Sequence, residues 1–191
     1  MKRVIFLEDN KYYILNSEED INFQYILNDF IEKFTQKKLV LNVSYRKLDK
    51  LEIRFDKFNL PHLLGLHKVI NGRATNILQN ILEGKVAIEN IKLHERYKEI
   101  KDRILSYNFL HSCFIDKNIK LCIIINSHDR NPQNLDIVFI DKYSGKDILL
   151  GLRKARNRDY YSPTTMYVVK DNSDYIGRKK ARISNIEWES Y

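Results

Sequence analysis

The spacing of apolar residues changes along this chain, from a helical repeat in the first part to strand-like runs after about residue 119. Six apolar residues between Phe23 and Phe34 recur every three or four positions, which is typical of a helix with one buried face. Four short apolar runs come later and are separated by turn-forming residues. These runs are 119–125, 136–140, 148–152 and 164–169. Helices packed on a following antiparallel β-meander are therefore expected, which is an α+β fold.

The length of the chain fits a single domain spanning residues 1–191. Its N-terminal part, residues 1–38, is expected to hold a hairpin (4–7 paired with 12–15) and a helix from Ser17 to about Gln36. The rest, residues 39–191, is expected to form the core. Its other predicted elements are strands at 39–45 and 51–55, helices at 61–72, 75–83 and 90–108, and a last strand or tail at 182–188.

Most of the net charge of +8 lies in the last quarter of the chain. Between Lys142 and Arg182 there are eleven basic residues and four acidic ones. Such a local excess attracts phosphates, which favours RNA as a partner; a basic surface that is merely solvated is the alternative. Because no run of eighteen apolar residues occurs, we expect a cytoplasmic protein with no membrane partner. Cys113 and Cys122 lie in apolar segments and are expected to be buried, reduced thiols.

Two histidines and a lysine, His62, His67 and Lys68, follow Pro61 in a predicted helix. Helix N-termini bind anions through free backbone N–H groups, and a histidine there can exchange protons near neutral pH. A packing role is the alternative for either histidine. Five residues separate them, which is about 140° around a helix, so they are not expected to share one face. Gly65 weakens a helix interior, which indicates that another segment packs closely against it.

A second cluster, residues 151–167, places basic residues directly before tyrosines and hydroxyl groups. Arginine binds phosphate with a planar fork, tyrosine offers a ring for stacking, and threonine can hold phosphate oxygens. A basic loop leading into an ordinary strand is the alternative. The predicted catalytic residues are His62, His67, Lys68, Arg153, Tyr161, Thr164 and Thr165. The predicted RNA-binding residues are Lys154, Arg156, Arg158, Arg178 and Lys179.

Sequence motifs for metals and nucleotides are absent: there is no HExxH, no DxDxD, no Cys/His quartet and no P-loop. No metal site and no cofactor are therefore predicted.

Two stretches, residues 61–68 (PHLLGLHK) and 161–167 (YSPTTMY), resemble the phage-associated members of the barnase–EndoU–colicin–RelE-like (BECR) nuclease group. The likeness extends from about residue 39 to 170. It implies N-terminal helices before a four-stranded antiparallel sheet, and a metal-independent ribonuclease of a phage or mobile element. It also implies that His62, His67 and Lys68, together with Tyr161, Pro163, Thr164 and Thr165, match the group's motifs. No histidine follows His128, so the pair of sheet histidines typical of EndoU has no counterpart.

The favoured hypothesis is a metal-independent endoribonuclease, acting as a toxin or in phage conflict, that cleaves RNA by attack of the 2′-OH. An antitoxin or immunity protein would be a further partner. A second hypothesis is a non-catalytic RNA-binding protein or a phage-encoded inhibitor. A third is a metal-dependent DNase that uses acids such as Asp136 and Asp141.

Overall fold

The computed structural model describes residues 12–170 and 173–191. Seven strands close into a barrel in the order β1-β2-β6-β5-β4-β3-β7. Neighbouring strands pair antiparallel except β2 and β6, which are parallel where Ile53 meets Tyr161. The strands are β1 Lys38–Val43, β2 Lys50–Ile53, β3 Leu121–Ile124, β4 Ile137–Tyr143, β5 Lys146–Lys154, β6 Tyr161–Val168 and β7 Ala181–Glu189.

The helices lie between and before the strands. They are α1 Phe23–Phe30, α2 Leu60–Leu63, α3 Ala74–Leu82, α4 Ile88–Lys92, α5 Tyr97–Leu105 and α6 Phe109–Phe114. The α+β class is confirmed. The sheet, however, is a closed barrel that includes β1, β2 and β7 and one parallel pair, rather than a separate antiparallel meander.

The first predicted elements differ from those observed. The strand expected at 4–7 lies outside the described residues, and residues 12–15 form no strand, so the hairpin prediction is wrong for that half. Backbone N–H groups there bond to side chains instead: Tyr13 donates to Asp29 and Leu15 donates to Asn108. The helix predicted from Ser17 is a short 3₁₀ turn, and α1 then begins after the capping side chain of Asn22.

The long helix predicted over 90–108 is broken into the end of α4 and the whole of α5, and α6 begins just beyond it at Phe109. After α4, the ring nitrogen Nδ1 of His94 accepts the N–H of Arg96, which interrupts the helical hydrogen bonds. Leu93, which the periodic stripe places on the buried face, is 86% exposed at this break. After α5, Asn108 turns inward and its amide donates to the carbonyl of Tyr13. The local repeat could not reveal these two side-chain-to-backbone bonds.

Five aromatic rings connect the helices to the barrel. Phe34 follows α1, Phe55 follows β2, Phe114 ends α6, and Phe139 and Trp188 come from β4 and β7. Each ring lies within about 6 Å of another member of the group, and the indole N–H of Trp188 donates to the carbonyl of Phe114 at 3.1 Å. This packing fixes one side of the barrel.

Both cysteines are buried and unpaired, as predicted. Across the described residues, no helix has the length and apolar character that crossing a membrane requires.

Candidate functional site

An open cleft of about 450 Å³ lies where α2 and α5 pack against β5 and β6. Two arginines, two histidines, two threonines and two amide side chains line it, and of the nine lining residues in the described structure none is acidic. These residues are Asn59, His62, His67, Arg103, Gln133, Arg153, Pro163, Thr164 and Thr165. Five of the seven residues predicted as catalytic are therefore brought together.

The two histidines share the cleft because the helix breaks between them. Gly65 adopts a left-handed conformation (φ +74°), which ends α2 and starts a separate 3₁₀ turn at Leu66–Lys68. As a result the ring centroids of His62 and His67 lie 5.2 Å apart. The expectation that the two rings would point to different faces is wrong, since it assumed one continuous helix.

The same glycine brings α5 to the cleft. A Cβ atom on Gly65 would lie 2.9 Å from Cγ2 of Ile100 and 3.0 Å from Cδ of Arg103, so the predicted close packing is present. The stem of Arg103 runs beneath this turn, and its guanidinium carbon lies 5.6 Å from the ring centre of Tyr167. Arg103 thereby reaches the cleft from a helix about forty residues further along the chain.

A β-bulge in β6 turns two consecutive threonines toward the cleft. Thr165 pairs with Gly151 and Pro163 pairs with Leu152, so Thr164 is an extra residue without a partner in β5. In a regular strand successive side chains point to opposite faces, and the bulge removes that alternation. Proline, which lacks a backbone N–H, is tolerated at such a place.

The remaining wall comes from the loop before β4. The absence of a side chain at Gly151 lets this loop pack directly on β5, because a Cβ atom there would lie 2.5 Å from Cδ1 of Leu135. Gln133 of the loop bonds twice to the sheet: its carbonyl accepts from Arg153 at 2.6 Å, and its side-chain oxygen accepts from the hydroxyl of Tyr167 at 3.2 Å. Gln133 thus fixes where the guanidinium of Arg153 lies.

The electrostatics of the cleft favour an anion and a neutral imidazole. Loss of water around the ring lowers the pKa of His67, and the neighbouring His62, Arg103 and Lys68 lower it further. Burial also lowers the pKa of Arg103, although a guanidinium stays charged at neutral pH. Two fixed cations therefore face a histidine that is held toward its neutral form.

A family comparison gives this geometry a context. The model of the family described as "phage-Barnase-EndoU-ColicinE5/D-RelE like nuclease4" matches residues 20–190. The chain belongs to this nuclease family. A comparison with curated proteins gave no match, and neither did a comparison with solved structures. The family implies a nucleic acid substrate for this nuclease, which agrees with a cleft lined by cations and hydroxyl groups.

Two residues predicted as catalytic lie outside the lining of the cleft. The ammonium group of Lys68 bonds to Glu99 at 2.9 Å, so its charge is directed to α5. Tyr161 lies at the joint between β2 and β6, where its ring is half-buried against the core and burial raises its pKa.

The predicted RNA-binding residues are dispersed over the loops of the nuclease. Lys154 pairs with Asp159 at 3.2 Å, and Arg156 and Lys179 are exposed. Arg158 lines a different hollow, beside Tyr160. Arg178 is largely buried; it donates to backbone carbonyls of Asp174 and Arg130 and joins two loops.

Three lining residues were not predicted from the sequence: Asn59, Arg103 and Gln133. Only Gly65 gave a sign of one of them, since it indicated a close neighbour without identifying it.

The two acids considered for a metal site lie at opposite ends of β4. Asp136 precedes the strand and accepts the backbone N–H of Lys154, while Asp141 lies near the other end. Among the described residues, no group of three or more His, Cys, Asp or Glu side chains is placed to hold a metal ion.

Proposed function

We propose that this nuclease is a metal-independent endoribonuclease that cleaves by attack of the ribose 2′-OH on the adjacent phosphate. The observation that carries the proposal is the cleft in which His62 and His67 face Arg103, Arg153 and two threonines. These side chains supply a base, an acid and two cations, which is what the reaction requires of the protein.

The reaction assigns a role to each part of the cleft. Neutral His67 removes the proton of the 2′-OH, and the 2′-oxygen then forms a bond to phosphorus. Arg103 and Arg153 stabilise the negative charge of the pentavalent intermediate, while Thr165 donates to its oxygens. The hydroxyl of Thr164 donates to the carbonyl of Gly151 at 3.1 Å and lines the cleft beside it. The bond from phosphorus to the 5′-oxygen breaks, and protonated His62 gives a proton to that leaving oxygen. The products are a 2′,3′-cyclic phosphate and a 5′-hydroxyl end.

The closeness of the two imidazoles supports this division of labour. Two neighbouring cations repel each other, so a second proton on the pair is disfavoured once the first has bound. Only the lowered pKa of His67 distinguishes the two and assigns it as the base.

Cleavage of end-labelled RNA in the presence of EDTA tests the proposal. We expect fragments ending in a cyclic phosphate, and we expect Arg153→Ala to lower their rate of formation a hundredfold or more. Retention of the RNA without any product would instead identify a non-catalytic RNA-binding protein. Product that forms only without EDTA would contradict metal independence.

We further propose a toxic or phage-conflict role, on the basis of the family. Expression in a bacterium is expected to arrest growth and fragment RNA, and His67→Ala is expected to relieve both effects. Growth arrest that persists with intact RNA in this variant would contradict the role.

A further inference from the structure

A second hollow, of about 540 Å³, lies beside the cleft and takes no part in the reaction described above. It is lined by two arginines, two carboxylates, an amide and a tyrosine. These are Glu52, Arg54, Asn157, Arg158, Asp159 and Tyr160.

The two hollows share their walls. One wall is the segment after β2, which contributes Arg54 to the second hollow and Asn59 to the cleft. The other is the β5–β6 hairpin, which contributes Tyr160 to the second hollow and Pro163 to the cleft. Between them, the N–H of Arg54 donates to the carbonyl of Tyr161 at 2.9 Å, where β2 runs parallel to β6. The two hollows are therefore neighbouring parts of the surface along this junction of β2 and β6.

The distance between the two parts suits a polymer. Three residues of extended chain separate Tyr160 from Pro163, which is about 10 Å. A nucleic acid strand rises at least about 3.4 Å per nucleotide, so a nucleotide one to three positions from the phosphate in the cleft can reach the second hollow.

A cation and an aromatic ring form one side of the second hollow, and a second ring, that of Tyr191, packs against the cation. The guanidinium carbon of Arg54 lies 4.5 Å from the ring centre of Tyr160 and 5.2 Å from that of Tyr191. Its Nε donates to Glu52 at 2.6 Å, which holds the guanidinium in place. Rings and guanidinium planes of this kind are surfaces on which nucleobases stack.

A closed loop forms the other side. The N–H of Ala155 donates to the carbonyl of Tyr160 at 2.9 Å, and the N–H of Arg158 donates to the carbonyl of Ala155 at 3.1 Å. Asn157 takes a left-handed conformation (φ +58°) within this turn. The turn holds Arg158 and Asp159 out over the hollow, and the side chain of Asp159 is fully exposed.

We propose, on the basis of the endoribonuclease function, that the second hollow is a subsite for one nucleotide flanking the scissile bond of single-stranded RNA. Its base stacks on Tyr160, its phosphate bonds to Arg158, and its exocyclic amino group donates to Asp159. A nucleotide uses the hollow more fully than a bare phosphate, because the exposed carboxylate of Asp159 can accept from a base while Arg158 binds the phosphate.

Binding of non-cleavable 2′-O-methyl oligoribonucleotides of two and five residues to the full chain tests the subsite by fluorescence anisotropy. We expect the pentamer to bind at least tenfold more tightly than the dimer. Tyr160→Ala and Arg158→Ala should each remove a large part of this advantage. Arg46→Ala is the matched comparison, since Arg46 is also an exposed arginine but lines neither hollow.

Equal losses for Arg46→Ala and Arg158→Ala would show that only the net charge of the protein matters and would overturn the subsite. RNA cleavage by the unmodified protein, measured in parallel, keeps the two proposals apart. If the protein cleaves RNA but the two arginine variants lose equal amounts of binding affinity, only the subsite is refuted. Tighter pentamer binding that depends on Tyr160 and Arg158, without any cleavage, supports the subsite and refutes the endoribonuclease.

Discussion

The imidazole rings of His62 and His67 lie 5.2 Å apart, although five residues separate them along the chain. The left-handed conformation of Gly65 makes this possible, because it stops α2 and redirects the following turn. The close approach of α5 to Gly65 then carries Arg103 into the same cleft. One glycine therefore organises both the pair of histidines and one of the two cations of the cleft.

Removing either histidine is expected to reduce RNA cleavage sharply. His62→Ala and His67→Ala should each lower the rate a hundredfold or more, since each removes a proton-transfer group that contributes about that factor. The measurement is the single-turnover rate on labelled RNA, with circular dichroism to verify the fold. His128→Ala is the control, because His128 is exposed outside the cleft. An equal loss in all three variants would contradict the assignment.

The pH dependence of cleavage should reflect the lowered pKa of His67. Desolvation and the charges of His62, Arg103 and Lys68 favour its neutral form, so it remains a competent base below its ordinary pKa of 6.5. The acidic limb of kcat/KM is expected to have its midpoint below pH 6.5. In Arg103→Met one of the repelling cations is lost, so the midpoint should move upward. A midpoint above 6.5 in the unmodified protein would contradict the role of His67 as base.

Gly65→Ala should destabilise the protein and damage the cleft together. The left-handed backbone costs a residue with a Cβ about 1–2 kcal/mol, and contacts with Ile100 and Arg103 add to this. We expect a total loss of about 3 kcal/mol in urea unfolding, with cleavage reduced in the fraction that remains folded. Gly145→Ala is the matched control, since Gly145 has φ +77° but nothing within 4 Å of an added Cβ. Equal losses in the two variants would show that packing against α5 contributes nothing.

The sequence predicted the segments that form the cleft better than it predicted their arrangement. Short apolar runs separated by turn formers located strands β3 to β6, and chemical composition singled out the His62–Lys68 and Arg153–Thr165 segments. The break in the helix at Gly65 could not be predicted, because the residues around it are equally compatible with a continuous helix. It is decided by a contact with α5, thirty-five residues away.

The same reason explains the residues that were missed. Gln133 and Arg103 lie in segments with no unusual composition, and each reaches the cleft only through a tertiary contact. The bulge that turns Thr164 inward depends on the pairing register of β5 and β6, which a single sequence does not specify. The closed barrel likewise depends on the long-range pairs between β1 and β7 and between β2 and β6.

Arg103 is expected to matter as much as Arg153. Arg103→Met keeps the packed stem beneath Gly65 but removes the charge, and loss of one donor to a developing oxyanion costs about a hundredfold in rate. A single-turnover cleavage rate that falls about a hundredfold, with an unchanged midpoint of urea unfolding, would verify this. Arg96→Met removes the same charge at the start of α5, where Arg96 pairs with Glu99 outside the cleft. Similar losses in both variants would mean that only net charge is involved.

The buried pair of Asp29 and His111 is expected to hold the N-terminal segment onto the helices. Nε2 of His111 lies 2.8 Å from Asp29, Tyr107 donates to the same carboxylate oxygen at 2.5 Å, and the N–H of Tyr13 donates to the other at 2.8 Å. Burial alone would raise the pKa of Asp29, but these hydrogen bonds outweigh burial and lower it. The ionised carboxylate therefore stabilises the folded state above its unfolded pKa of 3.8, and this contribution is lost as the pH falls below that value.

Asp29→Ala should accordingly lower the free energy of unfolding at pH 7 by about 3 kcal/mol, because it leaves buried donors without an acceptor. The difference from the unmodified protein should shrink as the pH falls below 3.8, because the carboxylate of the unfolded chain then binds a proton more readily than that of the folded protein. Urea unfolding at several pH values measures both effects. Glu32→Ala provides the comparison, since Glu32 is exposed and pairs only with Lys33, and an exposed pair contributes less than about 1 kcal/mol. A difference for Asp29→Ala that stays constant between pH 7 and pH 3 would contradict a stabilising ionised carboxylate.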